Sequence, residues 1–376
     1  MGDSIMATII NADTSDGLKL TSDTSGNLEL QSSGTTKAKI TSSGLQNASG
    51  SAITSQAGKN KIINGDMRVD QRNSTATING TGVTYNVDRW LGRGETSEGV
   101  FTLAQDTTSP ADFTNSLKAT VTTDDDASPM WGTSSYRIQQ MVEGYNIADL
   151  NWGTSDAQSV TLSFWVRSSV TGTLGGSVGN GDYNRFNPFS YTISSANTWE
   201  YKTVTIAGDT SGTWVTNNAL GLRLNFSLGA GADRLGTVGT WTSSIKEGAT
   251  GQVHPIQTNG STFYITGVQL EAGTTATPFE NLQYGQQYTL CQRYYQTLLD
   301  CNQSYVNAGM HVGGRLQFNT EMRANPTTTA TVDASANVSN SYSFYRVRTN
   351  SLGYYQSASA AGNFFWYTDF VMDAEL

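Results

Sequence analysis

The sequence predicts a mainly β protein: an N-terminal intertwined β stalk, a central jelly-roll sandwich, one helix and a small C-terminal β domain, assembled as a homotrimer. Three observations predict it. Charged residues are 14% of the chain, against about 25% in ordinary soluble domains, while 39 Gly and abundant Ser, Thr and Asn take their place and Pro is scarce at 6. About eight short runs alternate apolar and polar residues between positions 100 and 270, the period of a half-buried strand. Near the start, a thinner β pattern repeats every ten residues.

The repeat comes first in the chain. Leu18/Leu20, Leu28/Leu30 and Ala38/Ile40 flank Lys19, Glu29 and Lys39, and Gly17, Gly26, Gly34 and Gly44 punctuate them. Apolar side chains on one face and charged ones on the other fit a strand of period two. Two small apolar side chains per strand contribute roughly 2 to 5 kcal/mol on burial. Ordering the backbone costs about 1 to 2 kcal/mol per residue, so a single copy cannot hold the segment. Burying the same face against sister copies supplies what is missing, which makes Leu18, Leu20, Leu28, Leu30 and Ile40 the expected seam of a trimeric stalk over residues 1–58. A flexible Ser/Gly-rich leader is the competing reading. Residues 47–58 are small and polar, as in a linker.

Residues 59–280 carry an entry segment and then the runs Phe101–Leu103, Ser116–Thr122, Tyr136–Gln140, Val160–Arg167, Tyr191–Ile193, Glu200–Ile206, Leu222–Leu228 and Thr262–Leu270. A jelly roll is the simplest closure for that number of strands; another Greek-key sandwich would bury the same core. Tyr284, Tyr288, Cys291, Tyr295 and Leu298 are spaced by four and three, which predicts a helix over 281–299 inside a connector of 281–302. It packs either on its own domain or, as a coiled-coil seam, on its copies. From 303 to 376 the runs Leu316–Phe318, Tyr342–Arg348 and Phe364–Met372 predict a terminal β tip.

Chemistry-bearing patterns are few. His254 and His311 have no Cys or carboxylate at ligand spacing, and no phosphate loop, dinucleotide fingerprint or nucleophile elbow occurs. No metal, no cofactor and no enzyme activity are expected. Glu143, Asp149, Asp182 and Asp233 form no pattern that singles out a glycosidase pair, and Asp124–Asp126 is expected as a solvated turn rather than a calcium loop. Net charge of −9 with no basic cluster argues against nucleic acid. No apolar run of about 18 residues or signal-like leader is present, so no membrane insertion is expected and the chain should stay in a cytosol until lysis. Cys291 and Cys301 suggest no disulfide framework. Aromatic faces stack on sugar C–H faces, and Trp131, Tyr145, Trp152, Trp214 and Trp241 fall in Gly/Ser/Thr-rich loops. They are the candidate glycan-binding residues, with ordinary packing the competing reading for each.

The segment Lys61-Ile-Ile-Asn-Gly-Asp-Met-Arg-Val-Asp-Gln-Arg-Asn73 with Tyr85-Asn-Val-Asp-Arg-Trp90 resembles a module of tail-fibre and other structural proteins of tailed phages, especially those of aquatic hosts. A second block, Val268-Gln-Leu-Glu-Ala-Gly through Phe279-Glu280 with Leu290-Cys-Gln-Arg-Tyr-Tyr295, is similar to the close of the same module. Met6–Asp13, Glu321–Thr327 and the final Asp-Ala-Glu-Leu are similar as well. The resemblance implies a trimeric virion component, exposed on the particle surface, whose sandwich looks like carbohydrate-binding jelly rolls. The implied partners are its own copies, other phage tail or capsid proteins and host-surface polysaccharide. A tail fibre is the first expectation; a head or collar fibre, a capsid decoration protein and a polysaccharide-degrading tailspike are the alternatives. Within the matching motifs, Asp88 and Arg89 are expected to pair beside a buried Trp90, with Asp70 and Arg72 fixing the entry strand.

Overall fold

The computed structural model describes residues 28–32, 35–41, 44–47, 58–95, 98–338 and 342–376. The chain divides into two compact units between Ala57 and Gly58.

In the first unit, β1 (Leu28–Ser32), β2 (Thr35–Thr41) and β3 (Gly44–Asn47) form one antiparallel sheet. The register pairs Leu28 with Ile40, Leu30 with Ala38 and Glu29 with Lys39. Paired residues share a face, so the apolar residues line one side and a Lys39–Glu29 ion pair of 3.2 Å lies on the other. Leu30 and Ile40 each remain 45% exposed. Leu18 and Leu20 lie outside the described residues.

The second unit holds two six-stranded sheets. Its strands in chain order are β4 (Ala76–Ile78), β5 (Gly82–Tyr85), β6 (Trp90–Gly94), β7 (Val100–Asp106), β8 (Ser116–Thr123), β9 (Ser135–Glu143), β10 (Val160–Ser168), β11 (Gly172–Asn180), β12 (Phe186–Ile193), β13 (Glu200–Ile206), β14 (Leu220–Ala230), the short β15 (Leu235–Gly236) and β16 (Gly248–Ala249), and β17 (Thr262–Ala272). The first sheet runs β13-β10-β17-β8-β7-β4 and the second β12-β11-β14-β9-β6-β5. Alternation explains the packing: Leu162, Phe164 and Val166 of β10 point inward against Leu222, Leu224 and Phe226 of β14, all buried. Phe164 and Phe226 meet edge to face at 5.1 Å across the sandwich.

The helix is shorter than the spacing predicts. α1 spans Tyr284–Gln292, and Tyr295 and Leu298 belong instead to β18 (Tyr295–Val306). The reason lies in its neighbours. β18 pairs along its whole length with β23 (Gly362–Asp373), which pairs in turn with β20 (Thr327–Ala336). A companion sheet, β19 (His311–Gln317), β22 (Ser351–Ser357) and β21 (Ser343–Tyr345), packs Leu352 and Tyr354 with Trp366 and Phe370. Because β18 crosses the expected boundary at 302/303, residues 303–376 belong to the same compact unit as the sandwich. Among the described residues no helix is long and apolar enough to cross a membrane.

The motifs behind the resemblance meet at one junction. Ala374 donates its N–H to Tyr294 O at 2.8 Å, Tyr85 donates its hydroxyl to Leu376 O at 2.9 Å, and Arg323 reaches Glu375 O at 3.0 Å. The Arg89 guanidinium lies 3.5 Å from the Tyr294 ring centre and that of Arg72 lies 3.8 Å from Tyr295. Trp90 is fully buried and donates to Asn64 O at 3.0 Å. The expected Asp88–Arg89 pair does not form: Arg89 bonds Glu375 and the Met141 carbonyl. Asp88 instead pairs with Arg72 at 3.5 Å and accepts from Gln71 N at 3.0 Å. Arg89 adopts φ 72, a left-handed turn that sends two consecutive charged side chains to different partners. Asp70 caps Asn73 N at 2.8 Å.

Candidate functional site

The outer face of the first sheet carries an open aromatic groove. Along β10, Phe164 points into the core, so the neighbouring Trp165 must point out. The register places Trp165 opposite Tyr201 of β13, and their rings lie 5.4 Å apart. Tyr201 is 45% exposed. Across the groove stand Phe113 and Phe279, edge to face at 5.2 Å. Between the two pairs lies Gly267.

Gly267 forms the floor through a specific defect. The β10–β17 register steps from Ser163↔Gln269 to Trp165↔Thr266, so β17 carries one extra residue, a β-bulge with glycine in the left-handed region at φ 61. A Cβ there would stand 2.6 Å from the Phe113 ring and 3.2 Å from the Trp165 ring. Glycine therefore keeps the groove open as well as permitting its backbone. The cavity measures about 800 Å³, within the usual range for small ligands. Asp112 and Asn281 stand at its edge, and among the described residues neither side chain has a hydrogen-bond partner. Aromatic faces with free acceptors and donors at the rim are what a sugar ring and its hydroxyls require. Further along the same face Trp199 and Tyr264 continue the aromatic stripe at 6.2 Å.

The expected loop aromatics are distributed differently. Trp152, Trp214 and Trp241 pack edge to face on one another at 4.6, 5.4 and 5.7 Å. Their indole N–H groups are spent internally, on Gln158 O at 2.7 Å, Asp209 Oδ2 at 3.2 Å and Ala207 O at 2.9 Å respectively. With Trp152 and Trp214 buried, this trio closes one end of the core. Trp131 and Tyr145 are exposed at 64% and 60% but do not line the groove. Tyr145 borders a separate cleft of about 450 Å³ with Lys61 and Asp149. The groove is carried by Trp165, Tyr201, Phe113 and Phe279, none of them among the candidate glycan-binding residues; strict alternation around Phe164 was the available signal for Trp165.

Other candidates are engaged. Glu143 is buried and bound by Arg293 at 2.6 Å and by the Tyr294 hydroxyl at 2.6 Å. Asp149 pairs with Lys61 at 2.7 Å. Asp125, expected in a solvated turn, is fully buried and accepts from the Tyr136 hydroxyl at 3.0 Å. Burial pushes the Cys291 thiol well above its usual range, whereas Cys301 is exposed. No group of three metal-ligating side chains occurs among the described residues.

No family model matches the chain, and no curated protein matches it. Among solved structures it is similar to a putative sugar-binding protein of Bacteroides thetaiotaomicron, at 14% identity over 57% of this chain and 100% of that one, with a TM-score of 0.33. It is also similar to the enzymatically active domain of tailspike protein 4 of bacteriophage CBA120, at 16% identity over 57% of this chain and 22% of that one, with a TM-score of 0.29. A third is the Clostridium thermocellum xylanase 10B fragment containing a family 22 carbohydrate-binding module, at 12% identity over 52% of this chain and 28% of that one, with a TM-score of 0.28. The ligands and activities in those names belong to those proteins.

Proposed function

We propose that this chain is a non-catalytic subunit of a phage virion appendage, a homotrimeric tail fibre that holds host-surface polysaccharide in the Trp165–Tyr201 groove. One observation carries the glycan reading: four aromatic side chains surround a glycine-floored groove whose rim acceptors and donors are unspent. A core-facing role would leave these rings buried, and Tyr201 is not. Asp112 is the one carboxylate among the lining residues, and glycoside hydrolysis needs two, which favours binding over cleavage.

Two uncovered apolar faces support assembly with further copies. In the first unit these are Leu30 and Ile40; in the second, Leu299, Tyr305 and Tyr367 of the β18-β23 sheet are 67%, 78% and 50% exposed. Three weak glycan sites on one trimer gain strength through avidity. The virion setting, with residues 1–58 attached to other tail or capsid proteins and assembly in the host cytoplasm, is supported by the resemblance of the motifs that converge on the Arg72–Arg89–Glu375 junction.

Binding of the full chain to an array of purified bacterial surface polysaccharides tests the reading. At least one neutral polysaccharide should be retained, and Trp165→Ala should weaken that binding by tenfold or more with unchanged melting. Retention that is indifferent to Trp165→Ala and Tyr201→Ala would overturn it. Antibody labelling of intact particles distinguishes a tail fibre from a head fibre or decoration protein.

A further inference from the structure

We propose that a second cavity, on the opposite outer face of the sandwich, binds the carboxylate of an acidic sugar unit. It rests on the glycan-binding reading for the kind of ligand and on independent residues for its charge.

The cavity measures about 800 Å³, and Arg93, Glu95, Thr133, Tyr183, Arg234 and Val83 are among its lining residues. Its neighbourhood on the second sheet gathers four guanidinium groups, Arg93, Arg137, Arg223 and Arg234, around two carboxylates. Glu95 accepts from Arg137 at 3.0 Å and from Arg234 at 2.8 Å and lies 3.5 Å from Arg93. Glu247 lies 2.8 Å from Arg137 and 3.8 Å from Arg234. Exposed Asp182 and Asp233 adjoin Tyr183 and Arg234 in the chain, and Lys246 donates to the Asp233 carbonyl at 2.9 Å. The inner group thus holds two more positive charges than negative ones, within a chain whose net charge is −9. Such a local surplus opposes the global balance and concentrates anions.

Arg223 shows that the surplus is uncompensated. Among the described residues no carboxylate lies within ion-pair distance of it: it donates to Asn180 O at 3.3 Å and Gly181 O at 3.1 Å, and its guanidinium lies 3.7 Å from the Tyr183 ring centre. Burial first, then the positive charges of Arg93 and Arg137, push Arg223 down to about 10 against the opposing pull of Tyr183 and Glu247. Tyr183 is held over these groups by an Arg93 hydrogen bond of 2.7 Å to its hydroxyl. It does so at φ 57, a conformation that a bulky residue adopts only where surrounding contacts enforce it.

The same sheet face carries unsatisfied hydrogen-bonding groups. Gln139, two residues beyond Arg137, is fully buried with neither amide atom partnered, and Asn225, opposite it in the register, leaves Oδ1 unpartnered. Native proteins seldom tolerate such groups without a reason. Arg93 and Arg234 border the open cavity and spend only part of their donor forks on Glu95, so each retains N–H groups for a carboxylate. Val83 and Ile245 supply apolar surface for the C–H face of the ring.

Calorimetric titration of the full chain with oligogalacturonate, its carboxyl-reduced neutral counterpart and a sulfated oligosaccharide of equal length tests the proposal. The uronate should bind at least tenfold more tightly than the reduced form and weaken steeply with salt. Arg234→Ala or Arg93→Ala should abolish that preference, while Trp165→Ala leaves it intact. Equal affinity for the uronate and its reduced form, stronger binding of the sulfated chain, no binding of uronate, or indifference to both arginine changes would overturn it. Because Arg93→Ala could disturb Tyr183, Arg234→Lys provides a second variant: it keeps the charge, loses the fork and should retain only part of the preference. Neutral polysaccharide lost with Trp165→Ala but no uronate preference would sink this inference alone; the reverse pattern would sink the groove alone.

Discussion

The two outer faces of one sandwich differ in what their open part presents: aromatic rings on one, guanidinium groups on the other. On the first sheet, Trp165 and Tyr201 point away from the core and border an open groove at Gly267, while Ser163, Thr266 and Gln269 of the same face are buried. On the second, Arg137, Gln139, Asn225 and Ser227 point away from the core and are nonetheless buried. The segment between β14 and β17 covers two of them: Glu247 binds Arg137, and Gln252 donates to Ser227 Oγ at 2.8 Å. Strand alternation decides which residues leave the core; what lies over the face decides whether they become a surface or a second, polar interior.

Breaking that cover should have the largest effect. Glu247→Ala leaves Arg137 fully buried beside a single remaining carboxylate, and losing one partner of a buried pair costs about 3 to 5 kcal/mol; chemical denaturation should show it. Gly175→Ala comes next. Its Cβ would stand 2.6 Å from the Ala249 backbone nitrogen, and overpacking of this kind costs about 1 to 3 kcal/mol. Acid should reveal a smaller effect. Despite burial, which alone would raise it, Glu95 is held below its usual 4.5 by Arg137, Arg234 and Arg93. A carboxylate depressed in the folded state stabilises above its unfolded value, and that contribution is lost as pH falls through the folded value. The melting difference between wild type and Glu95→Gln should therefore narrow as pH drops below 4.5. Smallest of all, Tyr201→Ala on the open face should change stability by less than about 1 kcal/mol. A larger loss there, or no loss from Glu247→Ala, would break the contrast between the faces.

Much of the sandwich was legible in the sequence because its strands keep strict period two. Glu200–Ile206 is read at its observed bounds, and the runs around Leu162 and Leu224 fall within β10 and β14. β11, Gly172-Thr-Leu-Gly-Gly-Ser-Val-Gly-Asn180, was not, because its glycines mimic a loop. Space explains them: a Cβ on Gly176 would meet Asn225 O at 2.2 Å and one on Gly179 the Phe186 ring at 2.7 Å. The helix was overextended because Tyr295 and Leu298 continue a helical stripe, whereas the pull on Tyr294 and Tyr295 comes from Arg89 and Arg72, more than two hundred positions earlier. The site was misread for a related reason. Loop tryptophans look exposed until their N–H partners are known, and Trp165 looks buried until one knows that the groove beside it stays open.

The most direct test of the account is hydroxyl-radical footprinting of the full chain with and without a saturating polysaccharide that it binds. Trp165, Tyr201 and Phe279 should become protected while Trp152 and Trp214 stay unchanged. Protection confined to Trp131 or Tyr145, with Trp165 as reactive as before, would contradict it.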